Sequence, residues 1–263
     1  MNFFIIRKPL PQNARWLISS GFMVLIVFSW WLPTHMQWVN PLFLPSPERV
    51  VLRLVEWWQS GMLTTDLGIS IYRVTAAFLI ATAMAIPLGV LIGTLQPIQS
   101  ALQPLFEFSR YLPAVAFVPL ILLWVGIDES AKITIIWIGT FFQMVLMVSE
   151  DVRRVPQYQL DAALSLGAKQ SELFSLVVFK SALPDIVNTL RLTLGWAWTY
   201  LVVAELVAAN TGVGHAILKA QRFFQTETIF AGILMIGLIG LAMDQALRAV
   251  HRFAFPWLYM RRD

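Results

Sequence analysis

Ile133-Thr134-Ile135-Ile136-Trp137-Ile138-Gly139-Thr140-Phe141-Phe142-Gln143-Met144-Val145-Leu146-Met147-Val148 carries no charged side chain, and Ser149-Glu150-Asp151-Val152-Arg153-Arg154 follows it at once. An apolar run closed by clustered charge is how a helix leaves a bilayer. Spanning a hydrocarbon core of about 30 Å takes about 20 mostly apolar residues. Comparable runs occupy residues 16–32, 72–95, 113–126, 184–208 and 228–250, and Phe106 and Phe108 can extend the short one at 113–126. The sequence therefore predicts an all-α integral membrane protein with about six transmembrane helices and both termini on one side.

Composition agrees. Of 263 residues, 58% are hydrophobic and 13% charged, against about 25% charged in soluble domains, and the mean hydropathy is +0.69. So little charge cannot coat a water-soluble globule, which excludes a cytosolic enzyme, a disordered regulator and a fibrous protein. The absence of cysteine rules out disulfides, thiolate metal sites and cysteine nucleophiles. His35, His215 and His251 are too scattered to suggest a metal site, no Ser/His/Asp grouping suggests an intramembrane hydrolase, and no cofactor is expected. The net charge of +4 is read as membrane orientation, not nucleic-acid binding.

Residues 1–33 read as a cytoplasmic tail and a retained signal anchor. Arg7, Lys8 and Arg15 precede the run, and Trp30-Trp31-Leu32-Pro33 ends it without a small-x-small cleavage site. Residues 34–65 read as a periplasmic segment. In it Ser46-Pro47-Glu48-Arg49 opens an interfacial helix whose apolar stripe is Val51, Leu54, Val55 and Trp58, and Gly61 stops it. Residues 66–250 form the core, and 251–263 a cytoplasmic tail. With the N-terminus cytoplasmic, Arg110, Arg153, Arg154, Lys169, Lys180, Arg248, Arg252, Arg261 and Arg262 fall inside along with the first three cations. The loop 149–183 is then cytoplasmic.

That loop is not a plain linker. Pro156 can open a helix, Gly167 can close it in a left-handed conformation, a second helix runs from about Lys169 toward Lys180, and Pro184 starts the next span. Ala162 and Ala163 keep one face thin, which suits insertion into a partner's groove.

Asp161-Ala162-Ala163, then Gly167, then Leu183-Pro184 resembles the "EAA" signature of the membrane subunits of binding-protein-dependent ABC importers, with Asp161 on a shorter stem where that signature has Glu. Pro113-Ala114-Val115-Ala116-Phe117-Val118-Pro119-Leu120 with Leu123-Trp124-Val125-Gly126 resembles the nitrate/sulfonate/taurine/bicarbonate group of these permeases. So does Leu192-Thr193-Leu194-Gly195-Trp196-Ala197-Trp198 leading to Val203-Ala204-Glu205-Leu206. The resemblance implies a type I importer permease in the bacterial inner membrane, working as a homodimer with two ATP-binding cassette subunits and a periplasmic or lipid-anchored binding protein. It implies that Asp161, Ala162, Ala163, Gly167, Leu183 and Pro184 couple the path to the ATPase. It also implies a small anion as cargo: nitrate, bicarbonate, taurine or a sulfonate. No G-x-x-x-x-G-K-[ST] phosphate cradle occurs, so ATP is used by a separate subunit. The alternative is an ATP-independent secondary transporter or channel, although such carriers usually show internal repeats and broken mid-membrane helices.

Ionisable groups inside spans are costly and mark candidate pathway residues. Arg191 and Asp244 lie at similar depth in neighbouring spans and are expected to pair, with an anion contact to Arg191 as the alternative. Arg73 and Glu205 fall near outer span ends and are expected to reach water. Gln143, Thr193 and Thr199 can line a polar path or bond between helices. Asn210-Thr211-Gly212-Val213-Gly214 reads as a turn. Residues 215–225 read as a re-entrant or interfacial helix whose Lys219 and Arg222 either anchor it or attract anions. Trp30, Trp31, Trp57, Trp58 and Trp257 fit an aromatic belt.

Overall fold

Three long helices make the centre: α3 (Met62–Thr94), α6 (Glu129–Arg153) and α9 (Phe179–Ala208). A computed structural model describes residues 11–259, so Arg7, Lys8, Arg261 and Arg262 lie outside the described residues. Around the centre stand α1 (Gln12–His35), α2 (Pro47–Gln59), α4 (Gln96–Ser109), α5 (Val118–Val125), α7 (Gln157–Ser165), α8 (Gln170–Glu172), α10 (Val213–Arg222) and α11 (Thr226–Ala254). No strand occurs among the described residues. Five of the described helices are long and apolar enough to cross a bilayer, or six when one bent pair is counted as a span.

Lipid tails are as apolar as leucine, so helices in a membrane associate through close packing and not through escape from water. α3 supplies the close approach with Ala77, Ala81, Ala85, Gly89 and Gly93, small residues at every fourth position. A Cβ on Gly89 would stand 2.7 Å from Val148 of α6, and one on Gly93 would stand 2.7 Å from the Ser149 carbonyl oxygen. Behind this seam Ile135, Ile136, Met144, Val145 and Val148 are fully buried. α1, by contrast, buries no residue; only its last turn is tied down, where Trp30 stacks on Phe230 and donates to the Pro45 carbonyl. Its remaining apolar surface suits lipid.

Ser46 accepts from the Arg49 amide to cap α2, and Gly61, at φ +72°, turns the chain into α3. The expected stripe is not the buried one. Val50 and Trp57 are buried with Leu63, Val213 and Ala231, whereas Val51, Val55 and Trp58 face outward. α2 is apolar on two faces, and the face nearer Val50 has protein to pack against.

The span expected at 113–126 is broken. α4 and the segment Ala114–Val125 meet at a bend of 86°, with Arg110 through Pro113 in the corner. Pro113 biases the preceding residue away from helical geometry, and Gly126, at φ +91°, ends α5. The loop also differs from expectation. Its second helix is no separate piece: α8, a π-turn over Leu173–Val178 and α9 run on as one apolar stretch, Gln170–Val207. Pro184 lies inside α9 rather than at its start.

Candidate functional site

α7 ends as its sequence dictates. Gly167 sits at φ +85°, its N–H donates to the Leu164 carbonyl, and the Ala168 N–H donates to the Ala163 carbonyl, the pair of bonds that a left-handed glycine closes at a helix end. Gln159 accepts from the Ser181 hydroxyl at 2.8 Å, and Leu160 and Phe174 pack onto the main core. The helix is thereby held against the base of α9. Asp161 and Ala162 are exposed, and beside them Leu166 is 89% exposed at the knuckle. Among the described residues the Asp161 carboxylate accepts only from Gln157, in its own helix, and is otherwise exposed. Leu183 and Pro184 are half-buried behind, and the Pro184 carbonyl lies 3.2 Å from Nε2 of His251, whose Nδ1 meets the Tyr259 hydroxyl.

At the same end of the bundle Arg191 and Asp244 form a two-pronged ion pair across α9 and α11, Nε to Oδ1 at 3.0 Å and Nη2 to Oδ2 at 3.2 Å. Asn188 accepts a further guanidinium hydrogen. The fork geometry leaves little of Arg191 for a passing anion.

Arg73 and Glu205 do not reach water; both side chains are 0% exposed. Arg73 donates from Nε and Nη2 to Glu129 at 2.6 and 2.7 Å, and from Nη1 to Glu205 at 2.8 Å and to the Thr211 carbonyl at 2.7 Å. Glu205 also accepts from the Ser70 hydroxyl and from the Gly214 N–H, each at 2.7 Å. Lys132 donates to Glu129 at 2.9 Å, which balances two cations with two carboxylates. The turn at 210–214 is part of this cluster. A Cβ on Gly212, already at φ +115°, would collide with the Glu205 carboxylate, and the Gly212 N–H bonds to Asp66. The network joins α3, the first turn of α6, the last turns of α9 and the start of α10. Sequence reasoning missed Glu129, Ser70 and Asp66. Glu129 stands just before the apolar run, so only its i, i+3 spacing from Lys132 was available as a signal.

Two cavities open along α6 and α9; the second reaches Asn188, which bonds Arg191. One, of about 420 Å³, is lined by Arg110, Trp137, Gln143, Trp196, Thr199 and Tyr200 among others, beside the α4–α5 break. Gly139 makes room, because a Cβ there would strike the Tyr200 ring. The second, of about 380 Å³, shares Arg110 and Gln143 and continues to Glu150, Arg154, Asp185 and Asn188 toward the loop. Of the sequence candidates, Gln143 lines both cavities and Thr199 the first, whereas Thr193 is buried and back-bonded to its own helix. Arg110, expected in a plain cytoplasmic segment, is exposed in the α4–α5 corner and lines both cavities with Gln143 of α6. At the far end a third cavity, of about 650 Å³, is lined by Arg53, Asp66, His215 and Lys219. α10 is packed against α11 there, with Gly232 lying under Ile217.

Comparison with known proteins accords with this arrangement. The family described as the binding-protein-dependent transport system inner membrane component matches residues 85–255. The taurine transport system permease protein TauC of Escherichia coli strain K12 is 32% identical over 252 residues, 94% of this chain and 92% of that one. The putative aliphatic sulfonates transport permease protein SsuC of Bacillus subtilis strain 168 is 34% identical, covering 95% and 91%. The nitrate import permease protein NrtB of a Synechocystis strain is 28% identical, covering 81% of each. Among solved structures, an inward-facing form of the MetNI methionine ABC transporter superposes with a TM-score of 0.62 at 18% identity, over 73% of this chain and 97% of that one, a likeness of fold. The chain belongs to the inner membrane components of binding-protein-dependent transport systems: it is the permease subunit of an ABC importer, not an enzyme, and its ATPase is a separate subunit.

Proposed function

We propose that two copies of this chain pair around the cavities at Arg110 and Gln143 and carry a small anion, of the nitrate, bicarbonate, taurine or sulfonate class, into a bacterial cell. The loop 149–183 and both termini face the cytoplasm, and a periplasmic or lipid-anchored binding protein delivers the solute at the end that holds α10. Asp161, Ala162 and Ala163 on α7 seat in a cleft of the ATPase subunit, and Gly167, Leu183 and Pro184 fix α7 to the helix it must move. The observation that carries this reading is the contrast within α7. Its inner side is bonded to α9 through Ser181 and packs with Phe174 of the π-turn on the core, while Asp161, Ala162 and Leu166 are exposed and bonded only within α7 and its cap among the described residues. A helix held rigidly on one side and bare on the other transmits a push.

The permeases for taurine, sulfonates and nitrate among the relatives support the cargo class. The test is deletion of residues 161–167 in the complete complex, reconstituted in proteoliposomes. Membrane insertion persists while stimulation of ATP hydrolysis by loaded binding protein disappears. Stimulation equal to the parent's refutes the role of α7, and flux in the absence of the ATPase favours a secondary carrier.

A further inference from the structure

We propose that Arg110 is the charge-selecting residue of the path: its guanidinium binds the anionic head of the solute where the two cavities meet. Gln143, which lines both cavities, serves as a neutral donor beside it. The ligand class is a small oxyanion, the chemistry shared by sulfonate and nitrate groups. The assignment rests on the importer reading above.

The two arginines buried between helices are already satisfied, Arg73 by Glu129 and Glu205 and Arg191 by Asp244. Arg110 differs. Its Nη2 donates to the Tyr111 hydroxyl at 3.0 Å and its Cζ stands 4.9 Å from that ring, and among the described residues no carboxylate lies within ion-pair distance. Arg110 is exposed in the corner, lining both cavities with Gln143, and a cation beside a spanning helix persists only where water or a counter-anion reaches it. The 86° break of α4 and α5 places it there, since a straight helix would carry residue 110 along its own axis and not into the corner.

The surroundings repeat the sign. No aspartate or glutamate lines the 420 Å³ cavity; its polar groups are Ser109, Arg110, Gln143, Thr199, Tyr200 and the indoles. A cation without a carboxylate, in a cavity that no carboxylate lines among the described residues, calls for a ligand that accepts. The volume lies within the roughly 300–1,000 Å³ usual for small-molecule sites. In the adjoining cavity Glu150 and Asp151 stand 2.9 and 4.0 Å from Arg153 and Arg154, and Asp185 is a carboxylate without an ion-pair partner among the described residues, so the sign changes toward the loop.

The chain contains no cysteine, so Arg110→Cys introduces a single thiol. The complete complex carrying R110C is purified, with co-purified ATPase as the measure of assembly. It is treated with aminoethyl or sulfonatoethyl methanethiosulfonate, and uptake of labelled taurine and of nitrate is measured in proteoliposomes. The parent complex treated in the same way controls for labelling of its partners. Untreated R110C loses uptake of whichever anion the parent carries by roughly ten- to a hundredfold, the range for a charge-assisted contact. The aminoethyl reagent restores much of it and the sulfonatoethyl reagent does not. Undiminished uptake in R110C, or equal recovery with both reagents, overturns the proposal. Should R110C fail to assemble, Arg110→Lys must retain more uptake than Arg110→Gln, and equal losses overturn it too. A parent complex that moves neither of these anions, nor labelled bicarbonate or an alkanesulfonate, refutes the importer reading and this assignment with it. A parent that transports, with variants that transport equally well, refutes the assignment alone.

Discussion

Replacing Arg73 with methionine removes the cation at the centre of the buried cluster and keeps most of its volume. Four short hydrogen bonds disappear, and Glu205, 0% exposed, is left as a carboxylate with only the Ser70 hydroxyl and the Gly214 N–H. Removing one member of a buried ion pair costs about 3–5 kcal/mol, because the survivor has been desolvated for nothing. Glu205→Gln fails differently: whichever way the amide turns, its NH2 faces another donor, the Gly214 N–H or Arg73 Nη1, for a loss of about 1–3 kcal/mol. Glu129→Gln is milder, about 1 kcal/mol, since that side chain is 43% exposed and water can replace part of what it gives. In the double variant R73M/E205Q no net charge remains buried at this pair, so its loss falls short of the sum of the singles by about 2 kcal/mol. Thermal unfolding in detergent, followed by tryptophan fluorescence, measures this. At about 2–4 °C per kcal/mol, R73M lowers Tm by roughly 6–20 °C. An R73M chain as stable as the parent, or a double variant whose loss is the plain sum, refutes the argument that the cluster is held by compensating charge.

Three other outcomes follow from the packing and the surface. Gly93→Ala places a methyl against the Ser149 carbonyl and Val152 and costs about 1–3 kcal/mol, while Gly237→Ala, with open space around it, costs nothing measurable by the same unfolding assay. Exchanging the partners of the α9–α11 pair, R191D with D244R, recovers complex assembly that either single change loses; failure of the double to recover on size-exclusion chromatography counts against pairing. Glu48, at the start of α2, is held below the ordinary carboxylate range by its own backbone N–H, then by the Ser46 hydroxyl and the Trp31 indole N–H, with His35 adding to the effect. A folded-state pKa below the unfolded one means that the stabilisation is present above the unfolded value and is lost as pH falls through the folded one. Glu48→Gln should therefore flatten the acid limb of a Tm-versus-pH curve, and an unchanged limb refutes that assignment.

The amino-acid sequence determined the spans, the cap and stop of α2, and the glycine-closed knuckle of α7. Each follows from hydropathy, capping chemistry or a left-handed glycine, which act over a few residues and are written locally. The ladder Ala77, Ala81, Ala85, Gly89, Gly93 was equally legible as a row of small residues at helical spacing, and reading the spans by hydropathy alone passed over it. Pairing Arg191 with Asp244 was also within reach, because equal depth in neighbouring spans is a one-dimensional coordinate. Only the tertiary structure decided the rest. Arg73 meets Glu129 and Glu205 across 56 and 132 residues of chain, a distance no local pattern encodes. The bend between α4 and α5 depends on what α6 and α9 leave open, so a run read as one span became a corner with Arg110 in it. α2 buried Val50 and Trp57 rather than its expected stripe because burial depends on where a neighbouring surface lies, and periodicity says only which faces are available.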